Sequence, residues 1–201
     1  MKTLDVVFPT DNEYGIPLLN IHKQAIAPVL PITQWGTVGR NVRMYGTYAF
    51  YVDDYRFEAL WKNPAKLLQT GCVCIVETNM SIYDDMPLAQ VLWLTYQKRW
   101  LSRYWQEYGN IHILADLNVS AKYRNANTYG IPVGWRSFST RAYKARYTQL
   151  HEEYAHAVSI AQTNDILFLV YGGGKGARDI CYTNGWLWVE DQRTEVDTRN
   201  G

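Results

Sequence analysis

The sequence has almost no excess of charge of either sign and very few cysteines. Lys and Arg total 20 against 19 Asp and Glu, so no overall field draws the chain to nucleic acid or to an anionic membrane. A local basic patch remains compatible with this balance. The three cysteines are an odd number, and Cys72 and Cys74 stand on one face of a predicted strand. We therefore expect no disulfide framework, but buried thiols in a reducing compartment.

Long apolar runs are also missing. A helix needs roughly 20 predominantly apolar residues to span a membrane, and no stretch of the chain approaches that length. The opening residues, MKTLDVVFPTDNEYG, lack the apolar core of a signal peptide. We expect a protein without a membrane segment, located in the cytoplasm.

Several motifs that identify enzymes do not occur. The chain has no phosphate loop of the form G-x-x-x-x-G-K-[ST], no zinc-binding H-E-x-x-H and no nucleophile motif G-x-S-x-G. Its four histidines, His22, His112, His151 and His156, have no spacing typical of a metal site. Nucleophilic catalysis therefore has no strong candidate, and the metal ligands are unknown.

Short apolar runs alternate with segments of helical periodicity through most of the chain. Five runs are predicted to be strands, at positions 46–52, 72–76, 111–115, 136–140 and 166–170. Alternating strands and helices predict a single α/β domain with a mainly parallel sheet flanked by helices. We favour an open three-layer sandwich, and the alternative is a reduced or partial β/α barrel because five strands are too few for a complete one.

Composition divides the chain into three parts. Prolines and weak periodicity predict an irregular N-terminal arm over residues 1–45, packed on the domain. The α/β domain covers residues 46–189, and a polar tail covers residues 190–201.

The longest predicted helix begins near Pro87 and ends at Gly109, the residue expected to stop it. Asp84 and Asp85 precede it, where short acidic side chains cap free N–H groups. Apolar and aromatic residues cover most of this helix. Its polar residues are predicted to form a narrow stripe, which comprises Lys98, Arg99, Arg103 and Glu107.

Polar side chains follow the predicted strands at the edge where parallel sheets bind ligands. Glu77 and Asn79 follow one strand, and Asp116 and Asn118 follow the next. We predict catalytic roles for Glu77 and Asp116, in metal or proton handling, and ligand binding by Asn79, Asn118 and Arg141. The cofactor is unknown, with Mg²⁺ as one candidate because carboxylate and amide oxygens suit it. The alternative is that these residues cap helices and make turns.

A glycine-rich loop follows the last of the five predicted strands. It comprises Gly172, Gly173 and Gly174, followed by Lys175. Backbone N–H groups of such a loop can approach a phosphate, and the lysine adds positive charge, so we predict ligand binding here. The alternative is a tight structural turn.

The stretch NMSIYDDMPLAQVLWLTYQKRWLSRYWQEYG, with GIPVGWRSFSTRAY and FLVYGGGKGARD after it, resembles an uncharacterised family of small α/β proteins carried by bacteriophages and other mobile elements. The similarity covers roughly positions 48–189. The residues that carry it are Ser81, Tyr83, Asp85, Pro87, Tyr104, Gly109, Gly130, Pro132, Gly134, Ser139, Thr140, Tyr171 and Gly172. The resemblance implies a phage-like or plasmid-like origin and an α/β fold. It implies no established activity.

Two functions from different classes are consistent with these patterns. The first is a mobile-element protein, cytoplasmic in the host cell, that binds a nucleotide or nucleic acid at the strand ends, with hydrolytic or transfer chemistry as an extension. The second is a non-catalytic interaction protein that inhibits a host defence or regulatory factor through its aromatic surface, since the chain has 16 tyrosines and 8 tryptophans. A virion component is a third hypothesis.

Overall fold

Seven parallel strands form one sheet, in the order in which they occur along the chain. The structure is a computed structural model that describes residues 6–36, 44–144 and 146–191. The strands are Ile32–Gln34 (β1), Thr47–Ala49 (β2), Cys74–Val76 (β3), His112–Asp116 (β4), Ser137–Ala142 (β5), Leu167–Gly172 (β6) and Leu187–Val189 (β7). The predicted α/β class with a parallel sheet is confirmed.

Helices connect the strands and cover the outside of the sheet. They are Glu58–Lys62 (α1), Ala65–Leu68 (α2), Leu88–Gly109 (α3), Arg124–Thr128 (α4), Tyr147–Ala161 (α5) and Gly174–Asn184 (α6). The sheet is nearly barrel-shaped. Its sequential strand order is that of the partial β/α barrel, the alternative to the open sandwich.

Side chains alternate between the two faces of the sheet along each strand, so the apolar residues form two layers, one on each face. Ile113 and Phe138 belong to the larger core, between the sheet and the helices. Leu114 and Leu169 belong to a smaller core on the other face of the sheet. This burial of both faces explains why the strands are visible in the sequence as continuous apolar runs.

The segment predicted as an irregular arm contributes a strand to the sheet. β1 pairs with β2 in parallel register, with Thr33 opposite Tyr48. Further toward the N-terminus, the side chain of Gln106 in α3 bonds to both backbone groups of Asn20 at 2.8 and 3.1 Å. The part of the arm that is described is therefore integrated into the domain. Most of the predicted polar tail, residues 192–201, lies outside the described residues.

The ends of α3 differ in detail from the sequence prediction. Pro87 is the N-cap residue, and the helix start has no side-chain cap bond within the described chain, so Asp84 and Asp85 do not cap it. Asp84 instead accepts a hydrogen bond from the hydroxyl of Ser120. At the other end, Asn110 adopts the left-handed conformation with φ 53°. Gly109 is the last helical residue, and a Cβ there would lie 2.4 Å from a methyl group of Leu68.

Candidate functional site

Glu77 and Asp116 lie at adjacent strand ends, as predicted, but their side chains are completely buried in ion pairs. Oδ2 of Asp116 accepts a hydrogen bond from Nζ of Lys98 at 2.8 Å. Oε2 of Glu77 accepts one from the guanidinium of Arg99 and another from the backbone N–H of Asp116 at 3.0 Å. These contacts give both carboxylates a structural role, and their predicted catalytic role stays a prediction.

The two cations are adjacent in the sequence, and both belong to the predicted narrow polar stripe but are buried. Lys98 and Arg99 are adjacent in α3, and the side chains of both have no exposed surface. Because neighbouring helical residues point about 100° apart, Lys98 reaches toward β4 and Arg99 toward the end of β3. The sequence contains one signal for these ion pairs. Each strand that flanks α3 ends in an acidic residue, Glu77 after β3 and Asp116 in β4.

Tyr51 extends the polar cluster of Asp116 into the interior of the curved sheet. Its hydroxyl lies 3.0 Å from Oδ1 of Asp116 and 2.9 Å from the hydroxyl of Ser139. Burial, and then the Asp116 carboxylate, raise the pKa of Tyr51 well above its usual value. The ring of Tyr51 lies 5.2 Å from that of Tyr171 in β6. Aromatic rings therefore occupy the interior at this level.

Three of the predicted ligand-binding residues meet above this cluster, around Tyr143. The amide nitrogen of Asn118 lies 2.9 Å from Oδ1 of Asn79 and 3.5 Å from the hydroxyl of Tyr143. The guanidinium of Arg141 lies over the ring of Tyr143, 5.4 Å from its centre. Arg141 also donates to Oδ2 of Asp191 at 3.0 Å. We call this group, together with the glycine loop beside it, the strand-end rim.

The glycine loop forms the start of α6. Gly172, Gly173 and Gly174 have positive φ values of 73°, 78° and 67°. A Cβ at Gly173 would lie 2.5 Å from that of Ala142 and 2.7 Å from that of Ala177, so close packing of α6 on β5 requires glycine there. This close packing at Gly173 supports the alternative prediction, in which the glycine loop is a tight structural turn.

Two lysines stand beside this helix start, and the carboxylate of Asp191, which pairs with Arg141, lies beside Gly172. Lys175 is exposed in the first turn, which contains no acidic residue. A Cβ built at Gly174 would lie 3.8 Å from Cε of Lys144, so a second lysine stands beside the loop. The N-cap residue, Gly173, has no side chain that could accept hydrogen bonds from the free N–H groups of the helix.

Neither a metal site nor a membrane segment is found in the part of the chain that the structure describes. No group of three or more His, Cys, Asp or Glu side chains is arranged there to hold a metal ion. No described helix is both long enough and apolar enough to cross a membrane. Cys72, Cys74 and Cys181 are free and buried, and burial raises the pKa of each thiol to about 11.

Comparison with known proteins gives one family and two relatives. The model of the family described as Domain of unknown function (DUF4417) matches residues 8–177. The Gene 1 protein of Mycobacterium phage L5 is 31% identical over 139 residues, which are 63% of this chain and 57% of that protein. The Gene 1 protein of Mycobacterium phage D29 is 30% identical over 116 residues, 53% of this chain and 40% of that protein. The chain thus spans only about half the length of these relatives. No solved structure matches it.

Proposed function

The chain belongs to the family Domain of unknown function (DUF4417) and has relatives among phage proteins, and we propose that it binds a nucleotide or nucleic acid by a phosphate at the strand-end rim. The membership confirms the resemblance to an uncharacterised phage-carried family. The proposal rests on the start of α6. The N-cap residue there has no side chain to cap the free N–H groups, and the first turn has no acidic residue. Such helix starts attract anions, because the free N–H groups and the helix dipole both favour negative charge.

Charges and rings around α6 support the same class of ligand. Lys144 and Lys175 are both exposed beside Gly174 of the glycine loop, so either ammonium group is available to a phosphate bound there. Tyr143 is 40% exposed and stands beside the paired amides of Asn79 and Asn118. An exposed ring next to amide groups is suited to contact a base or a sugar.

The proposal covers binding and leaves out hydrolytic or transfer chemistry. The oxygens of Glu77 and Asp116 that make hydrogen bonds are directed at buried partners. Reaching a ligand at the rim would require a carboxylate to leave its cation in the interior, which is costly. Neither acid is therefore a useful probe of binding, since its replacement would disturb the fold.

Replacing Lys144 and Lys175 together with alanine is expected to raise the Kd for ATP or for a short single-stranded DNA about 10-fold or more. Each charge-assisted hydrogen bond to a phosphate contributes about 1.5–3 kcal/mol. For the DNA, the slope of log K against log salt concentration is expected to fall by about 1–2 because two phosphate contacts are lost. Fluorescence titration over a range of salt concentrations, with and without Mg²⁺, measures both quantities.

The matched control removes the same charge from a different surface. Lys62 and Lys66 are exposed on α1 and α2, and the double alanine variant at these positions is expected to bind as the wild type does. If both double variants weaken ligand binding equally, only the overall charge matters. An unchanged Kd in the Lys144 and Lys175 variant would disprove the proposed site. Absence of binding by the wild type would disprove the function.

A second candidate function, the non-catalytic interaction protein, is favoured by a row of aromatic rings along α3. Trp93 stacks on Tyr96 with ring centres 5.6 Å apart and planes 8° apart. The row ends in Tyr108, whose ring centre lies 4.6 Å from that of Tyr104. Trp93 and Tyr108 are 46% and 56% exposed. Exposed tryptophan and tyrosine are the residues that most often dominate the energetics of protein interfaces.

Replacing Trp93 and Tyr108 together with serine is expected to abolish capture of a bacterial host protein from lysate if the row is the contact. Loss of a dominant interface residue costs about 2 kcal/mol or more, which is roughly 30-fold in affinity. Tyr182 is 89% exposed on α6, so Tyr182→Ser provides the control for loss of an exposed ring. Capture that survives the double substitution would exclude this row as the interface.

A further inference from the structure

Two clefts lie side by side along α4, and neither belongs to the strand-end rim. The first has a volume of about 650 Å³, and the second has a volume of about 440 Å³. Asn125 and Tyr129 line both clefts. The clefts therefore adjoin each other at these two residues, and we call the pair of clefts the α4 groove.

An acidic loop forms one wall of the first cleft. Asp11 and Glu13 are exposed there, on either side of Asn12. The side chain of Asn12 donates to the carbonyl oxygen of Ile16 at 2.9 Å and accepts from its N–H at 3.0 Å. These two bonds close the loop. The carboxylates are thus held beside the cleft by a defined backbone conformation, so less entropy is lost when they bind a ligand.

His156 provides a hydrogen-bond acceptor in the same cleft. The hydroxyl of Thr128 donates to the carbonyl oxygen of Arg124 at 3.1 Å. Its oxygen also lies 2.9 Å from Nε2 of His156. When Nε2–H donates to this oxygen, Nδ1 is an acceptor, and it has no partner among the residues described. Burial, and then the charge of Arg124, lower the pKa of His156, so the ring is neutral at pH 7.

The second cleft is mainly apolar. Leu88 and Tyr14 line it and are 52% and 42% exposed. Lys122, which also lines it, is engaged elsewhere, since its Nζ donates to the carbonyl oxygen of Asp84 at 2.7 Å. The two clefts therefore differ in chemistry. The first is suited to a positively charged group that donates hydrogen bonds, and the second is suited to an apolar side chain.

We propose that the α4 groove binds an extended peptide segment of a partner protein, with a Lys or Arg side chain in the acidic cleft and an apolar side chain beside Leu88. Lysine and arginine carry only donors, which complement carboxylates and a histidine acceptor. A small cation would occupy only a small part of the acidic cleft and would leave the adjoining apolar cleft empty. A peptide fills both, because side chains at successive positions can enter the two clefts while the backbone passes the amide of Asn125.

Selection from a random dodecapeptide library on the immobilised full chain tests this proposal. Enriched peptides are expected to contain Lys or Arg together with a large apolar residue a few positions away. Their Kd, measured by fluorescence polarisation, is expected to rise about 10-fold or more in the double variant Asp11→Asn, Glu13→Gln, because both carboxylate charges are lost. Leu88→Ser is expected to weaken binding separately, at the other end of the groove.

The control removes two carboxylate charges elsewhere. The side chains of Glu58 and Asp165 are 67% and 91% exposed, and the double variant Glu58→Gln, Asp165→Asn is expected to bind the peptides as the wild type does. Thermal unfolding confirms that each variant is folded. The proposal is overturned if no peptide is enriched, if the enriched peptides lack basic residues, or if their affinity is the same in the groove variants. Binding of arginine amide as tightly as the peptides would also overturn it.

Discussion

Replacing Lys98 with methionine is expected to lower the free energy of unfolding by about 3–5 kcal/mol, the usual cost of removing one partner of a buried ion pair. Nζ of Lys98 lies 2.8 Å from Oδ2 of Asp116, and neither side chain has exposed surface. Methionine has a similar length but no charge, so it leaves the Asp116 carboxylate without its cation in the protein interior. Denaturant unfolding at pH 7 measures the loss.

The size of this loss is expected to depend on pH. Burial raises the pKa of Asp116, and the charge of Lys98 opposes that rise. Without Lys98, the pKa in the folded state moves further above the pKa in the unfolded chain. The folded variant then gains relative stability as the pH falls and Asp116 takes up a proton. The difference between variant and wild type should therefore be smaller at about pH 5 than at pH 7.

Two further variants separate the ion pair from a general effect of removing lysine. Lys62 contacts Glu58 at 3.4 Å on the exposed surface, and Lys62→Met is expected to change stability by less than about 1 kcal/mol. Adding Asp116→Asn to Lys98→Met is expected to recover part of the loss, because the unpaired charge is removed. A Lys98 effect as small as that of Lys62, or no recovery, would contradict the structural role of the pair.

The limits of the sequence prediction are clearest at the strands that it missed. β1 has the sequence ITQ, a single apolar residue followed by two polar ones, and it forms only because β2 offers an edge to pair with. β7 lies in the apolar run WLWV at positions 186–189, which is not among the five strands predicted from the sequence. Short strands of this kind owe their existence to their neighbours, so local composition cannot identify them.

The order of the strands in the sheet was the second feature that local sequence patterns could not predict. Parallel strands with connecting helices occur both in open sheets and in barrels, and the two differ in whether the strand order reverses. No residue pattern of a single strand encodes that difference. In the structure, the 5.2 Å contact between Tyr51 near β2 and Tyr171 in β6 joins distant strands across the concave face. The fold class was thus predictable, and the choice between the open sandwich and the partial barrel was not.

The sequence predicted which side chains gather at the strand ends, but not which partners those side chains contact. The rule that ligand sites gather at strand ends correctly brought Asn79 and Asn118 together, at 2.9 Å. The same rule gathered Glu77 and Asp116, but it says nothing about what approaches them from the helices. Lys98 and Arg99 lie on a helix that is covered on several sides, so periodicity alone could not tell which of its polar residues face inward.

Replacing Glu153 with glutamine is expected to remove a pH-dependent loss of stability on the order of 5 kcal/mol, as each unit of pKa shift corresponds to about 1.36 kcal/mol. Burial raises the pKa of Glu153 from 4.5 to about 8. The folded state therefore retains a proton that the unfolded chain releases above its own pKa. In the wild type, this contribution is fully present below about pH 4.5 and is lost as the pH rises through 8.

The variant does not titrate at this position, so its stability should change less over the same range. The amide oxygen of glutamine can accept the hydrogen bond that Thr140 donates to Oε2 of Glu153 at 2.6 Å. Above about pH 8 the variant is expected to be more stable than the wild type. Denaturant unfolding at a series of pH values measures both curves.

The neighbouring residue provides the control for this prediction. The Glu152 side chain is 57% exposed and contacts Arg124 at 3.0 Å, so Glu152→Gln is expected to leave the pH dependence almost unchanged. A Glu153→Gln variant with the slope of the wild type would contradict the buried, protonated state. That state has its main physical cause in burial, which disfavours the charged carboxylate of Glu153. The negative charge of the buried Asp116 also raises the pKa of Glu153, whereas the hydrogen bond from Thr140 lowers it.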